Sequence, residues 1–402
     1  MHHHQLLIFF ALLILAFGLF SRLAERHSIT GPMFFMTVGI LASPLALNLF
    51  DVTPELQPIT LVAELALTLV LFTDASLIDL RVLRDAPSRI PVRLLAIGLP
   101  LTMAFGTGLG VTMFDTGSIW VVVLMALILS PTDAALGQAV VKSEAVPNRI
   151  RQSISVESGL NDGIALPPIL FCLAVLGGGG EGHGGGLLGF MSRQVTLGPL
   201  VGVAVGYFGG KLIEQMSRRD WMEETFQRLS VLPLAILAYA FAETVGGNGF
   251  IAAFSAGIGL RLGTTTTEIR HRMQEFGETE GTQLILVVFL IFGLAMVPAV
   301  VSYWGWTELA YALASLTVLR MIPVAVCLLG AKLDWQSIAF IGWFGPRGIA
   351  SVLYLLMALA SIGFAGYERI MSVIVLTVVI SVYAHGISAV PLSRRYGEFA
   401  GE

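Results

Sequence analysis

Apolar stretches of about 20 residues, separated by short polar or Gly/Pro-rich breaks, follow one another along nearly the whole chain. Bounded in this way they predict thirteen helices, roughly 5–22, 30–49, 56–79, 90–113, 118–141, 150–176, 187–213, 227–245, 248–263, 282–302, 305–330, 336–361 and 367–391. The ninth run, GFIAAFSAGIGLRL, is short and follows Gly246-Gly247-Asn248-Gly249 almost without a loop. The first, QLLIFFALLILAFGLF, comes directly behind Met1-His2-His3-His4. It lacks a basic leading region and a small-residue cleavage pattern, so it reads as a transmembrane helix rather than a leader.

Composition agrees with this pattern. With 55% hydrophobic and 12% charged residues over 402 positions, and a mean hydropathy of +0.82, the chain is expected to be an all-α polytopic membrane protein. The net charge of −4 averages over two aqueous sides and decides little. Cys172 and Cys327 fall inside apolar runs and read as small core residues. The 44 glycines suit helices that approach closely in a membrane. Basic residues orient the spans. Thirteen spans with an external N-terminus place 19 of the 23 Lys and Arg on the cytoplasmic side, among them Arg81, Arg84, Arg89, Lys142 and Arg394-Arg395. Arg193 and Arg369 are then external, and Arg320 and Arg347 lie within spans. The Gly-rich stretch 177–186, with Glu181 and His183, reads as a flexible external loop.

One helix separates helices 1–6 from helices 8–13, so the two sets run in opposite orientations and form an inverted repeat. Helix 5 then corresponds to helix 12, and both are interrupted: at Ser130-Pro131-Thr132-Asp133 and at Gly345-Pro346-Arg347-Gly348. Matching breaks in matching helices point to a transporter binding site near the membrane midplane. Proline frees a backbone carbonyl there, which a cation can use.

The neighbouring run, SISVESGLNDGIALPPIL, carries Glu157, Ser158, Asn161 and Asp162. Charges at membrane depth cost at least a few kcal/mol and usually face a cavity where they work. Ser158 and Asp162 are four apart and share one helix face, as do Glu157 and Asn161 on the adjacent strip. With Asp133 and Thr132 they supply the carboxylate and hydroxyl oxygens that a hard cation such as Na⁺ prefers. A carboxylate in such a place can hold a proton or a cation, and competition for it couples the two. Arg320 needs a partner at its depth, and Glu157 is the expected one. Arg347 is expected to offset nearby acids or half-helix ends. Asp74 and Asp79 read as lying near the cytoplasmic end of helix 3. Glu64 lies higher on that helix, lining a funnel or an interface, and Glu243 falls near the external surface. His385 reads as a hydrogen-bonded core residue before it reads as a pH-sensitive one.

SPTDAA (130–135), ESGLNDG (157–163), Arg320 with Pro323, and WFGPRGIAS (343–351) together resemble the monovalent cation–proton antiporters of the NhaP/NHE type, and the resemblance runs from helix 1 to helix 13. It implies a homodimer with a dimerisation domain of helices 1–3 (1–80) and 7–10 (177–303, with the Gly-rich loop). It also implies a mobile core of helices 4–6 (89–176) and 11–13 (304–392), and a short cytoplasmic tail, 393–402. Asp162 would bind cation and proton in an elevator-type alternating-access cycle, with Asp133 the second acid and Ser158 and Thr132 as Na⁺ ligands. Glu157 would pair with Arg320. Asn161 stands where the electrogenic branch has a second Asp, which implies one cation for one proton. The chain departs from eukaryotic exchangers in carrying no long cytoplasmic tail, and from many relatives in its Gly-rich loop.

The expectation is therefore an electroneutral Na⁺(Li⁺)/H⁺ antiporter of a bacterial inner membrane. It would be a secondary transporter and no enzyme, working without cofactor or nucleic acid. A K⁺/H⁺ antiporter of the same fold uses the same ligand types. A passive cation channel lacks support, since no filter motif or run of pore carbonyls is present. An intramembrane aspartyl protease would need a Gly-x-Gly-Asp motif, which neither Asp133 nor Asp162 has.

Overall fold

The computed structural model describes residues 2–51, 57–78, 90–133, 136–141, 143–177 and 186–400. Asp79, Arg81, Arg84, Arg89, Lys142, Glu181 and His183 lie outside the described residues.

The regular structure among the described residues is all helix, in thirteen consecutive spans: α1 (His2–Arg26), α2 (Gly31–Ala42), α3 (Gln57–Leu77), α4 (Ile90–Met113), α5 (Ile119–Ile128 and Gln138–Val141), α6 (Asn148–Leu176), α7 (Gly186–Arg218), α8 (Glu224–Thr244), α9 (Gly249–Gly263), α10 (Thr267–Tyr303), α11 (Trp306–Cys327), α12 (Trp335–Trp343 and Ile349–Ile362) and α13 (Glu368–Ala400). Seven of them are long and apolar enough to cross a bilayer alone. The pieces of α5 and α12 are short because the predicted breaks are real.

Three boundaries differ from expectation, each for a local reason. α2 ends at Ala42 rather than near 49, because Ser43 caps it, its N–H reaching Gly39 O and Ile40 O, and Pro44 cannot continue it. α10 begins fifteen residues before the predicted start, at Thr267, with a polar first half that hydropathy reads as loop. Its first turn is held by Glu214 of α7, whose carboxylate accepts bonds from Thr265 N–H (3.0 Å) and Thr266 N–H (3.0 Å). α13 runs through the expected tail to Ala400, because Tyr396 stacks on Phe340 (ring centroids 4.3 Å) and its hydroxyl meets Ser337 Oγ at 2.5 Å. An unexpected interruption falls at Thr317 (φ −117°, ψ −91°), one turn before Arg320.

α9 is wedged between α3 and α7 at backbone contact. A side chain on Gly257 would run into Phe72 O, one on Gly202 or Gly206 into the carbonyls of Ala252 and Ala256, and one on Gly263 into Tyr207 O. Small residues on both partners let these helices close without an aqueous driving force. On the other side of the molecule α4 packs on α5 and α11, and α13 on α11, α12 and α5. α3 is the seam between the two groups: it also touches α6 and the second piece of α12. The site sits along this seam.

Candidate ion-binding site

The two breaks meet and complete each other. The N–H of Asp133 donates to Pro346 O at 2.9 Å, and its carboxylate accepts from Leu136 N–H at 3.3 Å and from Ile349 N–H. Asp133 thus caps the second piece of α12 from across the interface, placing negative charge at a helix N-terminus. Gly348 makes room for it, since a Cβ there would collide with Asp133 Oδ2. In the reverse direction the guanidinium of Arg347 donates from Nη1 to Pro131 O (3.2 Å) and Gly345 O (3.0 Å). Positive charge therefore meets the carbonyls freed by the interruptions. Ser351 Oγ also donates to Ile128 O at 2.8 Å.

α13 holds the break from behind. His385 Nε2 lies 2.9 Å from Trp343 O, and its Nδ1 lies 3.1 Å from Ser381 Oγ, which in turn accepts from Arg347 N–H at 2.6 Å. With the proton on Nε2, the chain runs from Arg347 N–H to Ser381 hydroxyl to imidazole to Trp343 carbonyl, tying residues on both sides of the break. His385 is the hydrogen-bonded core histidine expected of it. His385→Ala and Ser381→Ala should each lower stability by about 1–3 kcal/mol, because each strands a buried group. Thermal unfolding in detergent measures this; variants as stable as the parent would mean the break holds without the chain.

α6 turns its four polar residues to three different surroundings. Glu157, 1% exposed, meets Arg320 in a 2.6 Å ionic contact between Oε1 and Nη1 and a 2.8 Å hydrogen bond from Nη2 to Oε2. Ser158 Oγ lies 2.9 Å from Thr132 Oγ1, which also accepts from Asn161 Nδ2 at 2.6 Å. Asp162 faces neither group. Its Oδ1 has no hydrogen-bond partner among the described residues, and Tyr354 holds its backbone carbonyl at 3.0 Å. Ser158 is therefore grouped with Asn161, three residues on, rather than with Asp162.

Asp162 and Asp133 line a cavity of about 180 Å³ together with Asp74 and Thr73 of α3, Ser155 of α6 and Glu278 of α10. Thr132, Ser158 and Asn161 are not on that wall. A second cavity of about 360 Å³ shares Asp74 and Ser155 with it and extends along Asn148, Arg151 and Gln152 at the start of α6. The aqueous path thus reaches Asp162 from the end of the molecule where α6 and α10 begin and α3 finishes.

Two members of this wall carry more weight than their place in the pattern suggests. Asp74, read as a helix-end residue, faces Asp162. Glu278 falls between the expected helices 248–263 and 282–302, and the earlier start of α10 puts it on the wall. The N-cap of α10, Thr266, stands in a run of threonines followed by Glu268 in the first turn, an N-terminal signal of hydroxyl residues ahead of an acid. Thr73 Oγ1 is buried on the same wall without a partner among the described residues.

The comparisons come from outside this geometry. The family described as sodium/hydrogen exchanger, transmembrane, matches residues 8–395. A K⁺/H⁺ antiporter NhaP2 of Shewanella oneidensis is 26% identical over 396 residues, 96% of this chain and 66% of that protein. A K⁺/H⁺ antiporter NhaP of Alkalimonas amylolytica is 24% identical over 371 residues, 90% of this chain and 61% of that protein. The chain therefore spans somewhat less than two thirds of the length of these curated relatives. The structure of the sodium proton antiporter MjNhaP1 from Methanocaldococcus jannaschii at pH 8 superposes with a TM-score of 0.76, over 98% of this chain and 99% of that one, at 16% identity, which is a likeness of fold. Matched along nearly its full length, and built as a multi-pass bundle around two crossed, interrupted helices, the chain belongs to the transmembrane sodium/hydrogen exchanger family.

Proposed function

We propose that the protein is a secondary antiporter that exchanges one monovalent cation for one proton at Asp162. The observation that carries this is a buried carboxylate with an unbonded oxygen at the end of an aqueous cavity. In that position a proton or a cation can neutralise it, but not both together.

Charge bookkeeping supports a one-for-one stoichiometry. Glu157 offsets Arg320, and Asp133 stands with Arg347 at the crossed breaks. At the crossing of α5, α6, α11 and α12 one negative charge is left over, on Asp162, and Asn161 adds none, while Asp74 and Glu278 on the same wall belong to α3 and α10, which stay with the scaffold. A cation or a proton brings the site to neutrality, whereas the empty site keeps a bare carboxylate that is costly to carry across an apolar layer. Only loaded forms then cross, and potential has little to act on. The moving body is α4–α6 with α11–α13, and α1–α3 with α7–α10 is the fixed scaffold and the homodimer contact. With the N-terminus outside and the C-terminus inside a bacterial inner membrane, the open cavity faces the cytoplasm.

Na⁺, with Li⁺, is the first reading for the cation. K⁺ is the second, and the names of the Shewanella and Alkalimonas relatives favour it. The test is proton flux in proteoliposomes, read by a pH-sensitive dye as Na⁺, Li⁺ and K⁺ are added in turn, with membrane potential clamped and then imposed. Cation-driven flux that ignores potential is expected, and the most effective cation names the substrate. Flux that follows potential would overturn the one-for-one stoichiometry, and no cation-driven flux would overturn exchange itself.

A further inference from the structure

α3 carries a second intramembrane acid. Glu64 lies ten residues before Asp74, about 15 Å away along the helix axis. It flanks the outer end of the stripe Ala63, Leu67, Val70, Asp74, Leu77, whose inner members line the open cavity. At Glu64 the seam is shut: a space of about 10 Å³ is all that remains between Glu64, Leu67 and the α12 residues Leu353, Leu356 and Met357. The carboxylate of Glu64 is half-buried and takes no hydrogen bond among the described residues; only its backbone carbonyl is bonded, by Thr68 Oγ1 at 2.7 Å. Glu243, at the end of α8, is occupied differently, accepting from Gly249 N–H at 2.8 Å. An unpaired carboxylate against an apolar seam is costly and marks a place where charge is used.

α3 and the second piece of α12 run antiparallel along the seam. Ile349, which donates to Asp133, lies on the inner wall with Asp74, while Leu353, Leu356 and Met357 face Glu64. Ile349 and Leu356 are seven residues apart, about 10 Å along the helix. An outward shift of α12 and its partners by about 10–15 Å, between that length and the separation of Asp74 from Glu64, would bring Ile349, Asp133 and Asp162 to the level of Glu64. The apolar seal would move past it.

We propose that Glu64 is the scaffold carboxylate that meets the monovalent cation when the site opens to the opposite face, where Asp74 borders it in the present arrangement. This rests on the exchange proposed above. α3 then offers an acid at each end of the stroke, and the cation finds a negative wall on both sides without the scaffold moving.

The experiment is Glu64→Gln and Glu64→Asp in membrane vesicles of both orientations, with proton flux titrated by Na⁺ and K⁺ from each face and folding checked by elution profile. Removing a charge from a vestibule lowers local cation concentration about tenfold. Glu64→Gln should therefore raise the apparent KM about tenfold at the outer face and less than twofold at the inner face, and Glu64→Asp should recover most of the loss. Equal changes at both faces, or none at the outer face, would overturn the assignment. Parent protein silent from both faces would instead overturn the exchange activity, so the two failures are distinguishable.

Discussion

Asp162→Asn is expected to abolish cation-driven proton flux while the protein remains folded. Asparagine keeps the shape and removes both the proton site and the charge. At a contact distance of about 4 Å, and with the screening typical of a partly solvated site, one carboxylate is worth about 4 kcal/mol to a monovalent cation, or about a thousandfold in binding. The fold has no matching reason to suffer. The Asp162 carboxylate has an oxygen without a partner, and the contact that fixes this turn of α6, from Tyr354, goes to the backbone carbonyl. Thermal unfolding should shift little, and upward if at all, since a buried unpaired charge has been removed. Flux in proteoliposomes and unfolding in detergent are measured on the same preparation. Retained cation-dependent flux in the variant would remove Asp162 from the centre of the mechanism.

The features readable from sequence are those where a bilayer makes an error expensive. A charge in an apolar run has to be used or paired, so Asp162, Glu157, Arg320 and the two interrupted helices stand out, and Arg320 calls for a buried acid, for which Glu157 is the expected partner. The features missed are those where that constraint relaxes. The first half of α10 is polar, so hydropathy has no purchase on it, and Glu278 goes with it. The last turns of α13 are polar too, and their order depends on Tyr396 reaching Phe340 and Ser337, which are distant in sequence. The grouping of Ser158 was missed for another reason. Residues three and four apart are both helix neighbours, so Ser158 has Asn161 and Asp162 as equal candidates. Thr132 decides between them, and where Thr132 sits is fixed by the crossing of α5 and α12, which no local pattern contains.

Neutralising Glu157 or Arg320 singly should destabilise the protein by about 3–5 kcal/mol, and neutralising both should cost markedly less. Each is about 1% exposed, and they face one another at 2.6 Å and 2.8 Å. A single change leaves a bare charge where water cannot reach it; the double change Glu157→Gln with Arg320→Gln leaves two neutral groups that can still bond to each other. The two single variants should also differ from one another. A stranded Glu157 can take up a proton and become neutral, but a guanidinium cannot lose its proton in this setting. Glu157→Gln leaves Arg320 beside a second buried cation, Arg347, on the same crossing of helices. It should therefore be the most damaging of the three, with Arg320→Gln intermediate. Unfolding in detergent across the four proteins gives the order directly. Losses that simply add in the double variant would mean that the two side chains, close as they are, do not act as a pair. A milder Glu157→Gln than Arg320→Gln would mean that Arg347 is neutralised by something other than the charges at this crossing.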